Sequence, residues 1–92
     1  MSLLSESEIE EKIVGLPEWR QEGDTIARTY DCQDFVGAVG FVSRMVEPAE
    51  EMNHHPDVEI SWKNVTARLT THSQGGLTAA DFELAAKLDT LG

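Results

Sequence analysis

Apolar positions along the chain change period several times, and each change marks an element. Ile9, Ile13 and Leu16 recur at helical spacing. Ser5 and Glu8 stand at capping-box spacing ahead of them, Leu4 and Ile9 fit a hydrophobic staple, and Gly15 with Pro17 marks the stop. Two strands follow, "EWRQ" and "TIARTY", joined by "EGD", where Gly23 supplies the turn. Ile26 and Tyr30 share one face and are expected to point at the core. A long helix comes next, capped by Asp31 or Asp34, with Phe35, Val39, Val42, Met45 or Val46, and Ala49 as its apolar stripe. That stripe reads as core. Pro48 is expected to kink or end the helix, or to open a last short turn. The final helix starts at "GLTAAD", with Thr78 and Asp81 at cap-plus-acid spacing and Phe82, Ala85, Leu88 and Leu91 as its inner face.

Between the last two helices, "VEISW" and "VTARL" flank Lys63-Asn64, which reads as a tight hairpin loop. In that register Trp62 faces Val65, Ile60 faces Ala67 and Val58 faces Leu69, all on an apolar side that makes Trp62 core. The polar side pairs Ser61 with Thr66, Glu59 with Arg68 and Asp57 with Thr70. One step further sets His55 opposite His72, where directly paired Cβ atoms lie ~4.5–5.5 Å apart. His54 has the other parity. It lies four residues after Glu50, so a helix reaching that far would put the two on one face, and a bend at Pro56 could swing His54 into the same pocket.

These are all three of the chain's histidines, and imidazole chemistry is the main functional signal. An unperturbed histidine titrates near pH ~6.5, so a cluster around one cavity can supply both an acid and a base. Each well-placed proton transfer is worth ~10²–10⁴ in rate. Glu50, Glu51, Asp57 and Asp81 are candidate neighbours. Three readings stay open on the residues alone: acid–base catalysis, a metal site, and a structural polar cluster. Adjacent His54 and His55 are poorly spaced for one metal on regular structure, and neither HxH nor HExxH occurs.

Charge narrows the partners. A formal net charge of −10 disfavours nucleic acid and anionic membranes, both of which need Lys and Arg to meet phosphate. A neutral or cationic small molecule, or another protein, fits better. Ninety-two residues read as one domain, 1–92, with a modest core that oligomerisation would supplement. The single cysteine, Cys32, allows no internal disulfide and is expected as a small buried residue in a reducing, cytoplasmic setting. The N-terminal "MSLLSESEIEEK" lacks the features of a signal peptide, and no stretch is long and apolar enough to span a bilayer.

The run from Glu50 through "HHPDVEISW", followed by "TTHSQGGLTAAD", resembles the signature of the pterin-4a-carbinolamine dehydratase family. Glu50, His54, His55, Pro56, Trp62, His72 and Asp81 fill its positions, and "LPEW", "TIARTY" and "DFVGAVGFVSRMVEPAEEM" extend the likeness over nearly the whole chain. Departures are Cys32 in place of an aromatic, Val58 where some members have Trp, and Pro48. The resemblance implies an α+β fold, a four-stranded antiparallel sheet with three helices on one face in the order α-β-β-α-β-β-α. It implies loss of water from 4a-hydroxytetrahydropterin, with His54, His55 and His72 as catalytic residues and Glu50, Pro56, Asp57 and Asp81 around the pterin. It implies no metal, no organic cofactor, a pterin as small-molecule partner, and a homodimer or homotetramer. A role as a dimerisation cofactor on the same fold is the alternative.

Overall fold

The computed structural model describes residues 2–91. The elements are α1 (Glu6–Val14), β1 (Arg20–Glu22), β2 (Thr25–Asp31), α2 (Phe35–Met52), β3 (Asp57–Ser61), β4 (Asn64–Leu69) and α3 (Ala79–Leu88), with a 3₁₀ turn at His72–Gln74. The four strands form one antiparallel sheet in the order β1-β2-β4-β3, so β3 is an edge. The expected fold class is therefore the one observed. Ile26, Val65, Ala67 and Leu69 on the sheet meet Phe41 and Met45 of α2, Leu84 and Leu88 of α3, and Ile9 of α1 in one core. The opposite face of the sheet is polar; there the Thr29 and Thr66 hydroxyls meet at 2.9 Å.

Side chains start the helices as their sequences imply. Ser5 and Glu8 form a full capping box on α1, and Thr78 and Asp81 another on α3. Asp34, not Asp31, caps α2 by accepting from the Gly37 N–H at 2.6 Å.

Three expectations about the long helix and the hairpin need correction. First, α2 runs through Pro48 without a break, and Pro48 is buried. The ring removes one helical donor, but its burial beside Ala49 helps offset that loss. Second, the inward face is Ala38, Phe41, Met45 and Ala49, while Phe35, Val39 and Val46 are exposed. The apolar band is wider than one face, and packing at the small residues chooses which part turns inward. A Cβ at Gly37 would stand 2.2 Å from the Cys32 carbonyl oxygen, so only glycine lets α2 approach the end of β2 this closely.

Third, the β3–β4 loop is Trp62-Lys63, not Lys63-Asn64. Ser61 pairs with Asn64, Ile60 with Val65, Glu59 with Thr66, Val58 with Ala67 and Asp57 with Arg68. Each partner moves by two residues, so the faces keep their identity while every predicted pair changes. Trp62 leaves the core for the turn, at φ 54° and 67% exposed. The neighbouring strand decides this: Asp31 pairs with Asn64, and the Cys32 N–H donates to the Lys63 carbonyl at 2.8 Å. That contact draws Asn64 into the ladder. Arg68, now across from Asp57, reaches Glu59 only diagonally, at 3.6 Å, and Glu22 at 3.8 Å.

A half-buried polar knot closes the far end. The Asp89 carboxylate, just past α3, accepts from the Trp19 indole at 3.0 Å, an Arg28 guanidinium N–H at 2.9 Å and the Tyr30 hydroxyl at 2.5 Å. Arg28 also lies over the Tyr30 ring, 4.3 Å from its centroid. Among the described residues no helix is long and apolar enough to cross a membrane.

Candidate active site

The histidine region is built at the end of α2. Asn53 takes the left-handed conformation, φ 50° and ψ 44°, which Asn tolerates better than most residues and which stops the helix before His54. The His54 N–H then bonds back to the Ala49 carbonyl at 3.0 Å. The chain enters extended structure at this point, so the two rings part company. His54 turns inward and its side chain is 14% exposed, while His55 turns outward and is 55% exposed.

Each imidazole meets its own carboxylate. His54 Nε2 lies 2.6 Å from Asp81 Oδ1. His55 Nε2 lies 2.5 Å from Glu50 Oε2. His72, at the start of the 3₁₀ turn and 81% exposed, has Nε2 3.9 Å from Asp57 Oδ2, an ion-pair separation too long for a hydrogen bond. Glu50 thus partners His55, not His54, because the left-handed turn at Asn53 breaks the i, i+4 relation that helical spacing implied. The predicted pairing of His55 across from His72 does not form, since β3 begins only at Asp57 and pairs there with Arg68. His72 faces Asp57 instead, two residues beyond His55 in the chain.

Asp81 is the centre of the arrangement. Its side chain is fully buried, and burying a carboxylate is costly unless donors surround it. Here Oδ2 accepts from the Thr78 N–H at 2.9 Å and the Thr71 hydroxyl at 2.9 Å, while Oδ1 faces His54. The carboxylate that starts α3 is the one that orients His54. Pro56 is half-buried and, with His55, borders a groove of about 190 Å³ whose floor is Val42, Met45, Val46 and Val58. Among the described residues, no group of three or more His, Cys, Asp and Glu side chains is arranged to hold a metal ion.

A larger groove lies elsewhere. About 540 Å³ opens between the end of β2 and the start of α2, lined by Tyr30, Cys32, Val36, Gly40, Phe41 and Arg44, with no histidine. Burial, and secondarily the Asp31 charge, push the Cys32 thiol above its ordinary range, so it holds little thiolate there.

Comparison with known proteins bears on what this arrangement belongs to. The family model described as pterin 4 alpha carbinolamine dehydratase matches residues 2–91. The chain belongs to that family. A relative from Thermosynechococcus vestitus, which carries the provisional name pterin-4-alpha-carbinolamine dehydratase, is 47% identical over 88 residues, covering 96% of this chain and 93% of its own. Another with the same provisional name, from Nocardia farcinica, is 45% identical over 89 residues, covering 97% and 94%. Among solved structures, a transcriptional coactivator/pterin dehydratase from Brucella melitensis superposes with a TM-score of 0.92 at 32% identity, over 98% of both chains. A pterin dehydratase-like protein identified as a RuBisCO assembly factor shares the fold at a TM-score of 0.68 and 21% identity, over 80% of this chain and 88% of its own.

The pattern-based reading paired Thr78 with Asp81 as a helix cap but missed Thr71 as a donor to the same carboxylate. A signal for it existed. Val65, Ala67, Leu69 and Thr71 are alternate, buried positions, so Thr71 is a polar residue at core parity.

Proposed function

We propose that the chain is a hydro-lyase that removes water from a 4a-hydroxytetrahydropterin and leaves a quinonoid dihydropterin. The observation that carries this reading is His54, a shielded imidazole backed by a fully buried carboxylate, with His55 next to it in the chain on a carboxylate of its own and His72 facing Asp57. In the reaction the C4a–O bond breaks, the departing hydroxyl takes a proton and leaves as water, and N5 gives up its proton as the N5–C4a double bond forms. One proton is supplied and one is collected, which calls for an acid and a base on the same substrate.

His54 suits the base. With Nε2–H donated to Asp81, its other ring nitrogen is the one left to accept a proton. His55 or His72 suits the acid, since both rings are open to a ligand. Glu50, Asp57 and Pro56 would border the pterin. The substrate carries its own leaving group and its own electron pair, so the step calls on neither a metal nor an organic cofactor. A pterin is not strongly anionic and meets no penalty from a chain of net charge −10. The biopterin form is the first substrate to test, and a reducing cytoplasmic setting suits the free Cys32. Mixing the protein with a chemically made 4a-hydroxytetrahydropterin should raise the rate of quinonoid dihydropterin formation well above buffer alone; an unchanged rate removes the reading.

Assembly is the second part of the proposal, and a specific surface favours it. Phe35, Val39 and Val46 expose an apolar stripe along α2, with no charged residue between Phe35 and Ser43, and β3 beside it is an unpaired sheet edge. Burying that stripe against a second copy removes apolar area from water without bringing carboxylates together. A homodimer or homotetramer is the occupant this surface fits, read by sedimentation over a range of concentrations. A role as an interaction module, such as the coactivator function named for the Brucella protein, would use an assembled form of this kind.

A further inference from the structure

Thr71 sits where the two halves of the histidine region meet, and it contacts both. Thr71 is 7% exposed, and its hydroxyl lies 2.9 Å from Asp81 Oδ2 and 2.9 Å from the Thr78 hydroxyl. The direction of these bonds follows from valence. An ionised carboxylate only accepts, so Thr71 spends its one hydroxyl proton on Asp81. Thr78 must therefore donate to Thr71, while the Thr78 oxygen accepts from the first turn of α3. The chain of donors runs one way, from Thr78 to Thr71 to Asp81, and His54 donates to the other carboxylate oxygen.

The main chain of Thr71 has a separate duty. Its N–H donates to the Gly76 carbonyl at 3.0 Å, and its carbonyl accepts from Gln74 and Gly75, each at 3.0 Å. Gly75, at φ 74°, closes the turn in a conformation that suits glycine. The segment between those anchors is the one that carries His72.

We propose that Thr71 is a positioning residue: its hydroxyl holds the Asp81 carboxylate that orients His54, and its backbone anchors the turn that carries His72. One residue thereby sets the relation between two of the three imidazoles. The proposal deepens the dehydratase reading and rests on it for its kinetic consequence. Without the hydroxyl, Asp81 Oδ2 loses a donor and keeps the Thr78 N–H, and the carboxylate plane is held less firmly toward His54. A misplacement of about 1 Å at a reacting group can cost ~10²-fold in rate.

The test uses Thr71→Val, which keeps the shape and removes the donor, and Thr71→Ser, which restores the donor. Thr71→Val should lower kcat by about 10- to 100-fold with KM little changed, and Thr71→Ser should recover most of the parent rate. A merely structural threonine would lower the melting temperature in both without this split between kcat and KM. A second readout needs no substrate. In proton NMR the His54 Nε2–H should be protected from exchange in the parent and in Thr71→Ser, and exchange quickly in Thr71→Val. The Thr71 hydroxyl proton of the unmutated chain should be protected as well, so the test survives a variant that fails to fold. A freely exchanging Thr71 hydroxyl, or a His54 ring proton equally protected in Thr71→Val, overturns the proposal. A parent with no dehydration activity instead removes the functional reading, while the ring-proton result still decides the positioning role.

Discussion

Replacing His54 by glutamine should lower kcat for pterin dehydration by about 10²–10⁴-fold while leaving the fold intact. Glutamine is the informative choice because its amide N–H can still donate to Asp81. Alanine would leave Asp81 Oδ1 buried without its donor, which costs about 1–3 kcal/mol or more for a charged group and would mix stability with chemistry. His54 is expected to matter most of the three because it alone is shielded and backed by a fully buried carboxylate. A hydrogen bond to an exposed partner competes with water, and the His55–Glu50 and His72–Asp57 pairs are both open to it. Steady-state rates for His54→Gln, His55→Gln and His72→Gln, each checked by circular dichroism, decide the order. Parent-like turnover in His54→Gln would mean that the Asp81–His54 pair is only a cap for α3.

The largest stability effect is expected at the other end of the molecule. Asp89→Ala removes the shared acceptor of Trp19, Arg28 and Tyr30 and should destabilise the fold by about 2–4 kcal/mol, from hydrogen bonds to a charged group worth about 1.5–3 kcal/mol each and not additive. Against a typical total of ~5–15 kcal/mol this is a large share. Urea unfolding at neutral pH measures it directly, and a midpoint within error of the parent would show that water replaces the carboxylate at no cost. The same knot makes a pH signature. Burial first, then the hydrogen bond to Asp89 and its charge, push the Tyr30 hydroxyl well above its ordinary value of 10.0. A raised pKa means that the folded state holds the proton more tightly than the unfolded chain. The stabilisation is therefore complete below pH 10 and falls away as pH climbs beyond it toward the folded-state value. Tyr30→Phe should flatten that alkaline loss, and an unchanged alkaline profile would place the sensitivity on other groups.

Particular residues show where pattern reading holds. The caps at Ser5 and Thr78 were legible because they satisfy backbone donors three residues away, a purely local relation. The alternation in "VEISW" and "VTARL" identified the right faces, since shifting partners by two preserves parity. It could not place the loop, because the contact between Cys32 and Lys63 that draws Asn64 into the ladder comes from another strand. The long helix failed in the same way. Its apolar residues cover more than one face, and the close approach at Gly37 picks the buried one.

The histidine set divides along that line as well. Sequence alone picked out the histidines and acidic residues, and the cap position of Asp81 at the start of α3, because residue type and local spacing carry that information; the pairing of His55 with His72 that it implied does not form. Only the tertiary structure decided which ring is buried, which carboxylate each ring meets, and that Thr71 stands behind Asp81. Those outcomes depend on a left-handed turn at Asn53 and on contacts between segments far apart in the chain, whose energies no local pattern contains.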